Sequence, residues 1–218
     1  MRTTTELKEI YFDLRGTQPL LMHSSALVNP RNPIVKEMKL ITDKKNRKTH
    51  EESLRLEYLE WLGGLVVDSD NRPSISESQV LGLLAQAASN TRNKAKSKRA
   101  VIAATSPFFR LEYDGPKDLD DLYEEARFRD QRPARVGVGK SVIRTRARFP
   151  IGWKVRIGFL VNVQEMNVED VVDAIEYGGG CVGIGDYRPR FGRYEVLASE
   201  CAASDGGNNK RSKKKAAN

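Results

Sequence analysis

One stretch constrains the fold more than any other: residues 153–163 read WKVRIGFLVNV, with Trp153, Val155, Ile157, Phe159, Val161 and Val163 at every second position. Over this length a period of two fits a strand buried on one side, since a helix would scatter the same side chains around its circumference. The chain must therefore build a sheet, and something must cover that sheet's apolar face. The preceding segment, 136–149 (VGVGKSVIRTRARF), alternates β-branched residues with arginines, and Pro150-Ile151-Gly152 predicts a turn between the two. The two segments are expected to pair as an antiparallel hairpin.

A first strand is predicted over 6–15 (ELKEIYFDLR), where Leu7, Ile10, Phe12 and Leu14 mostly share a side and Gly16 ends the run. Residues 17–33 carry Pro19, Pro30 and Pro33 and read as loop; the charged stretch 36–49 has no clear period. Two capping boxes mark helix starts. Thr49 with Glu52 opens a helix over 50–62 that Gly63-Gly64 stops, and Ser76 with Gln79 opens another to about Ser89. Residues 100–113 read as short strands or as a helix end and a strand, and 118–129 orders acids before arginines, as a helix dipole prefers. Val168, Val171, Val172 and Ile175 mark a last helix stopped by the glycines 178–180, and 193–198 (RYEVLA) makes a last strand.

Stripped of insertions, the order is strand, helix, strand, strand, helix, strand. That order lays two helices on one face of a four-stranded antiparallel sheet: an α+β fold of the ferredoxin-like or modified RNA-recognition type, with a glycine-rich loop before its last strand. Residues 1–201 are expected to form this domain and 202–218 a disordered basic tail.

Charge then narrows the function. The 218 residues hold 37 Lys+Arg against 29 Asp+Glu, a formal charge of +8. The excess is segregated: 92–99 holds five basic groups, 127–156 holds ten against the single Asp130, and the C-terminus reads KRSKKK. Such segregation suits a protein that lays one face along a polyanion, where each neutralised phosphate releases counterions without regard to base sequence. Arg144, Arg146 and Arg148 fall at i, i+2 and i+4 of a strand, about 7 Å apart on one face, close to the spacing of phosphates in an extended single strand. Lys140 and Arg156 lie nearby in sequence. The alternative role for such a row is an edge strand blunted by charge.

The second motif, 178–196 (GGGCVGIGDYRPRFGRYEV), joins the last helix to the last strand. Its glycines, Gly183 and Gly185 among them, allow positive φ and close approach, and their amides are expected to be exposed as an anion-binding nest beside Arg188, Arg190 and Arg193. Tyr187 and Phe191 are candidate stacking platforms for bases, whereas Phe12, Trp153 and Phe159 belong to the core. As a dinucleotide fingerprint the stretch fails, because it follows a helix and precedes a strand.

The pattern G-apolar-G, several residues, then G-Arg-aromatic, here Gly183-Ile184-Gly185 through Gly192-Arg193-Tyr194, resembles the glycine-rich loop of the RAMP superfamily of CRISPR systems. The segment SVIRTRARF followed by Trp153, and the helix opening PSISESQVLGLLAQAA, resemble the backbone subunits that polymerise along guide RNA, or a stand-alone phage-encoded relative. The resemblance covers roughly 6–30 and 73–197, and residues 34–62 and 92–130, which have no counterpart in it, are expected to be insertions. It implies a sequence-independent binder of single-stranded nucleic acid, RNA or DNA with RNA favoured, that works in antiviral defence and assembles as a homo-oligomer or filament, with other effector subunits as further partners. It also places His23, Ser24 and Ser25, after the first strand, against the nucleic-acid backbone. Members that cut their target use an acidic residue in that loop; MHSSALVNPRN has none.

Two other functions stay open: a metal-independent endoribonuclease using His23 as general acid or base, and a protein-interaction module or inhibitor that docks an acidic partner on the basic face. No run of about 18 apolar residues and no secretory leader is present, so a cytoplasmic protein with no membrane partner is expected. Cys181, Cys201, His23 and His50 fit no structural zinc spacing, and neither metal nor other cofactor is expected.

Overall fold

The alternating residues of the first strand and of 153–163 meet across a shared ladder, and the rest of the fold is arranged around that pairing. The computed structural model describes residues 6–90, 100–137, 139–202 and 211–212. In chain order the strands are β1 (Leu7–Gly16), β2 (Leu20–Leu21), β3 (Ser74–Ser76), β4 (Val101–Ala104), β5 (Phe108–Glu112), β6 (Arg129–Gly137), β7 (Lys140–Phe149), β8 (Lys154–Asn162), β9 (Tyr194–Cys201) and β10 (Arg211–Ser212). The helices are α1 (Pro33–Thr42), α2 (His50–Gly64), α3 (Glu77–Ser89), α4 (Leu119–Glu124) and α5 (Val168–Tyr177). No helix among the described residues is long and apolar enough to cross a membrane.

β1 pairs antiparallel with β8, setting Ile10 opposite Phe159, Phe12 opposite Ile157 and Leu14 opposite Val155. All six are buried, and Phe12 meets Phe159 edge-on at 6.0 Å. The large sheet runs β10-β9-β1-β8-β5-β3, and β4 shares the outer side of β8 with β5. Counting β4 and β5 as one interrupted strand, β9-β1-β8-β5 is the fourth, first, third and second strand of a strand-helix-strand-strand-helix-strand unit, so the second strand falls within 92–130, expected as an insertion, and not at 136–149. The architecture is α+β and compatible with the ferredoxin-like or RNA-recognition type. Val80, Leu83, Leu84 and Ala87 of α3, with Val171, Ala174 and Ile175 of α5, cover the apolar face.

Both capping boxes form. Thr49 accepts from the Glu52 amide while Glu52 accepts from that of Thr49, and Ser76 and Gln79 do the same. α1 begins at the end of the expected loop and runs into the stretch without a clear period; its Asn32 cap accepts from the Ile34 amide and Pro33 occupies the first turn. The helix expected over 118–129 stops at Glu124, because Phe128 turns into the core and its carbonyl accepts the Trp61 indole N–H at 2.9 Å.

The expected hairpin between 136–149 and 153–163 does not form. β7 pairs instead with β6 on one side and with β2 on the other, making a second sheet ordered β2-β7-β6, and 150–152 carry the chain from this small sheet to the large one. Alternation specifies that a segment is a strand but not which strand it meets. β6 gave little signal because it is polar and holds Pro133, which an edge strand tolerates. The basic run 92–99 and the tail 203–210 and 213–218 lie outside the described residues; β10 pairs with β9.

Candidate nucleic-acid interface

The register of the small sheet decides where its arginines point. Arg132 of β6 lies opposite Arg144 of β7, and Asp130 lies opposite Arg146, so these four side chains share one face. The single acid of the basic segment thus sits among the arginines, and Arg132 forms a two-pronged pair with it. The 183–192 loop lies against this face. Tyr187 sits with the Arg146 guanidinium 4.9 Å and the Arg132 guanidinium 5.1 Å from its ring centre, and its hydroxyl donates to the Pro133 carbonyl at 2.9 Å. These contacts hold Tyr187 at φ 55°, a conformation unfavourable for a side-chain-bearing residue.

The arginine row and the glycine loop are therefore neighbours, as expected, but the row is not an open track and does not lie on the uncovered face of the large sheet. Arg146 is only 7% exposed, and its Nε donates to Asp186 Oδ2 at 2.7 Å. Arg144 pairs with Glu60 of α2. Glu60, itself buried, also accepts the Thr145 backbone N–H at 2.9 Å. The reason is local: the N–H of Met22 bonds the carbonyl of Ala147, but the chain then leaves the ladder as Ser24 bonds Gly64. Thr145 is left without a strand partner on that side, and Glu60 supplies the acceptor. Arg148 is half-buried and donates to the Arg127 carbonyl.

The nest expectation is also corrected. The amides of Gly183, Ile184, Asp186, Tyr187, Phe191 and Gly192 bond within the protein, to Gly178, Gly192, Leu21, the Asp186 carboxylate, Tyr187 and Pro19 respectively. Gly185 (φ 85°) and Gly192 (φ 71°) serve this docking: a Cβ would lie 2.4 Å from the Leu21 carbonyl oxygen at the first and 1.7 Å from that of Ile184 at the second. Phe191 is buried with the Arg132 guanidinium 4.4 Å from its ring centre, so neither ring of the loop is a free stacking platform. Arg188 and Arg190 project outward, exposed and held by no ion pair among the described residues. Arg193 is half-buried and its backbone carbonyl accepts from Thr17 and Gln18.

His23 follows β2 at the surface of this junction. Partial burial lowers its pKa from the ordinary histidine value; Asp186 opposes the shift, and Arg146 and Arg144 reinforce it. Ser24 caps a short turn by accepting from the Ala26 amide, and Ser25 is exposed within that turn. The Lys140 side chain lies outside the described residues. Arg156 lies elsewhere, on the open face of the large sheet, bonded to Asp13 and Glu200. Cys181 and Cys201 are free thiols, and no group of three His, Cys, Asp or Glu suited to a metal ion occurs among the described residues. Sequence reasoning missed Glu60 and Asp186, the two carboxylates that organise the site. Asp186 at least stood between glycines and arginines in the loop; Glu60 carried no signal.

The sequence matches no family model and no curated protein. Among solved structures, a chain in a cryo-EM structure of the Type III-B Cmr-beta bound to cognate target RNA is similar at 11% identity and a TM-score of 0.49. The match covers 90% of this chain and 61% of that one, so this chain spans about three fifths of its length. Likeness at this level leaves function to be read from the chain's own residues.

Proposed function

We propose that this chain binds single-stranded nucleic acid, RNA in preference to DNA, through phosphate contacts and without base specificity, at the junction of the small sheet and the 183–192 loop. The observation that carries this reading is the imbalance of charge there. Arg132, Arg144, Arg146, Arg148, Arg188 and Arg190 converge with three carboxylates, Glu60, Asp130 and Asp186, and the outermost two arginines carry no ion pair among the described residues. A polyanion gains most where positive charge is in excess and some of it is exposed. Membership of the RAMP superfamily as a backbone subunit belongs to the same proposal, and so do a cytoplasmic location and head-to-tail assembly along the strand, which a heterologous, non-closing interface would produce.

The test is binding of labelled oligouridylate and of mixed-sequence RNA and DNA at several salt concentrations. Similar affinity across sequences with a linear log–log salt dependence supports the proposal; absence of binding at low salt removes it. Electron microscopy on long poly-U tests assembly.

His23 favours a second reading, an endoribonuclease. An imidazole whose pKa is lowered by burial and by Arg146 and Arg144 suits a general base acting next to a phosphate. Incubation with labelled hairpin RNA separates the two: cleavage lost in His23→Ala supports the enzyme, and retention of intact RNA supports the binder.

A further inference from the structure

A second set of free cations gathers away from the small sheet, on the helix pair α1–α2. Residues 31–49 hold seven Lys and Arg against Glu37 and Asp43. Lys44 is taken up by Glu52 of α2 and Glu37 by Arg55. Arg31, Lys36, Lys39, Lys45, Arg47 and Lys48 are left exposed, held by no ion pair among the described residues. The 183–192 loop offers only Arg188 and Arg190 in that condition. Residues 31–49 also carry no aromatic ring, so a ligand there is met through its charge and not by stacking.

The packing of α1 gives these cations a direction. Its start lies at the Gly63-Gly64 end of α2: Ser24 donates its N–H to the Gly64 carbonyl at 2.9 Å, and a Cβ on Gly63 would lie 2.6 Å from Leu27 and 3.1 Å from Ile34. His23 precedes Ser24, and Glu60 stands one turn before Gly64, so this end borders the junction. From there α1 runs back antiparallel to α2, with Glu37 facing Arg55 at 2.7 Å and Lys44 facing Glu52. Val35 and Ile41 are buried, whereas Lys36, Lys39 and Leu40, spaced by three and four, share the outward face. Arg31 thus stands at the junction end, Lys36 and Lys39 along the helix, and Lys45, Arg47 and Lys48 at the far turn.

We infer that α1 and the turn after it form a second phosphate-binding surface, which takes up the strand where it leaves the junction. The ten residues of α1 span about 15 Å, room for roughly two phosphates at about 7 Å spacing before the strand meets the turn. Lysine suits the task, since an ammonium on a long stem meets phosphate as a point charge and asks nothing of base identity. A lipid surface is the poorer fit, because it needs an apolar stripe beside the basic one, and Leu40 is the one large exposed apolar side chain of α1. The strand's path from the junction rests on the function proposed above; the attraction of this surface for phosphate does not.

The experiment measures the salt dependence of binding by the full chain to a short oligouridylate of about four nucleotides and a long one of about fifteen. The wild-type log–log slope is expected to steepen from the short strand to the long. The variant Lys45→Gln with Arg47→Gln and Lys48→Gln, which removes exposed side chains with no partner, should flatten the long-strand slope by about two units and leave the short-strand slope unchanged. Equal wild-type slopes at the two lengths, or a long-strand slope that ignores the variant, overturn the inference with nucleic-acid binding intact. The wild-type comparison needs no variant to fold. Absence of binding at either length removes the proposed function and the inference together. A slope that responds to this variant but not to Arg188→Ala with Arg190→Ala keeps the helix surface and removes the junction. Loss of binding to vesicles of phosphatidylglycerol in the variant, with the oligouridylate slope unmoved, overturns the inference in favour of a membrane surface.

Discussion

The molecule presents two charged faces built by the same period-two rule, and they handle charge in opposite ways. On the open face of the large sheet, Arg15, Arg110, Lys154 and Arg156 stand among Glu9, Asp13, Glu112, Glu195 and Glu200, four cations against five carboxylates. The pairs there are solvated: Arg156 is 50% exposed between Asp13 and Glu200, and Arg15 is 49% exposed beside Glu195. On the small sheet the arginines outnumber the acids, yet Arg146 and Glu60 are buried. Exposed pairs cost little to make or break, whereas an ion left alone inside costs a great deal. The open face is thus a charge-balanced surface, and the junction holds a positive excess on a rigid frame.

The contrast breaks most sharply at Glu60. Replacing it with alanine strands the Thr145 amide and removes the partner of Arg144, and a loss of about 3 kcal/mol in unfolding free energy is expected from denaturant titration. Glu60→Gln, which keeps an acceptor for the amide, should lose less. Equal, negligible losses in both would show that the carboxylate is no part of the frame.

Next in size is the effect on binding. Arg144 and Arg146 are already neutralised internally, so removing the row should change the salt slope less than three free arginines would. The exposed pair carries more: Arg188→Ala with Arg190→Ala should flatten the log–log salt dependence by about 1.4 units. Arg15→Ala with Arg156→Ala should leave it unchanged. A reversed ranking, read from fluorescence anisotropy across a salt series, would place the interface on the large sheet.

The smallest effect belongs to the open face itself. Asp13→Asn with Glu200→Gln breaks pairs that water already screens, and the melting curve should report a change within about 1 kcal/mol.

These differences bear on what a sequence discloses. The strands β1 and β8, their buried side chains, the two capping boxes and the last helix were all legible, because each is written within a dozen residues as a period or a cap. Phe12, Trp153 and Phe159 proved to be core for the same reason. What was not legible is what depends on distant partners. β2 is two residues long and gives no period. The pairing of β7 with polar β6 rather than β8 is a choice among strands that alternation does not make. Glu60 and Arg144 are 84 positions apart, and Asp186 and Arg146 are 40 apart. The glycines of the 183–192 loop were rightly read as permitting close approach, but the surface approached is the protein's own Leu21 and Ile184 rather than a ligand.

Photocrosslinking of a 4-thiouridine oligonucleotide, with adducts mapped by mass spectrometry, asks directly which face meets the strand. Adducts within 129–148 and 186–191, with none on the large sheet, are the expected result. Adducts concentrated on Tyr11, Lys154 and Arg156 would contradict the account.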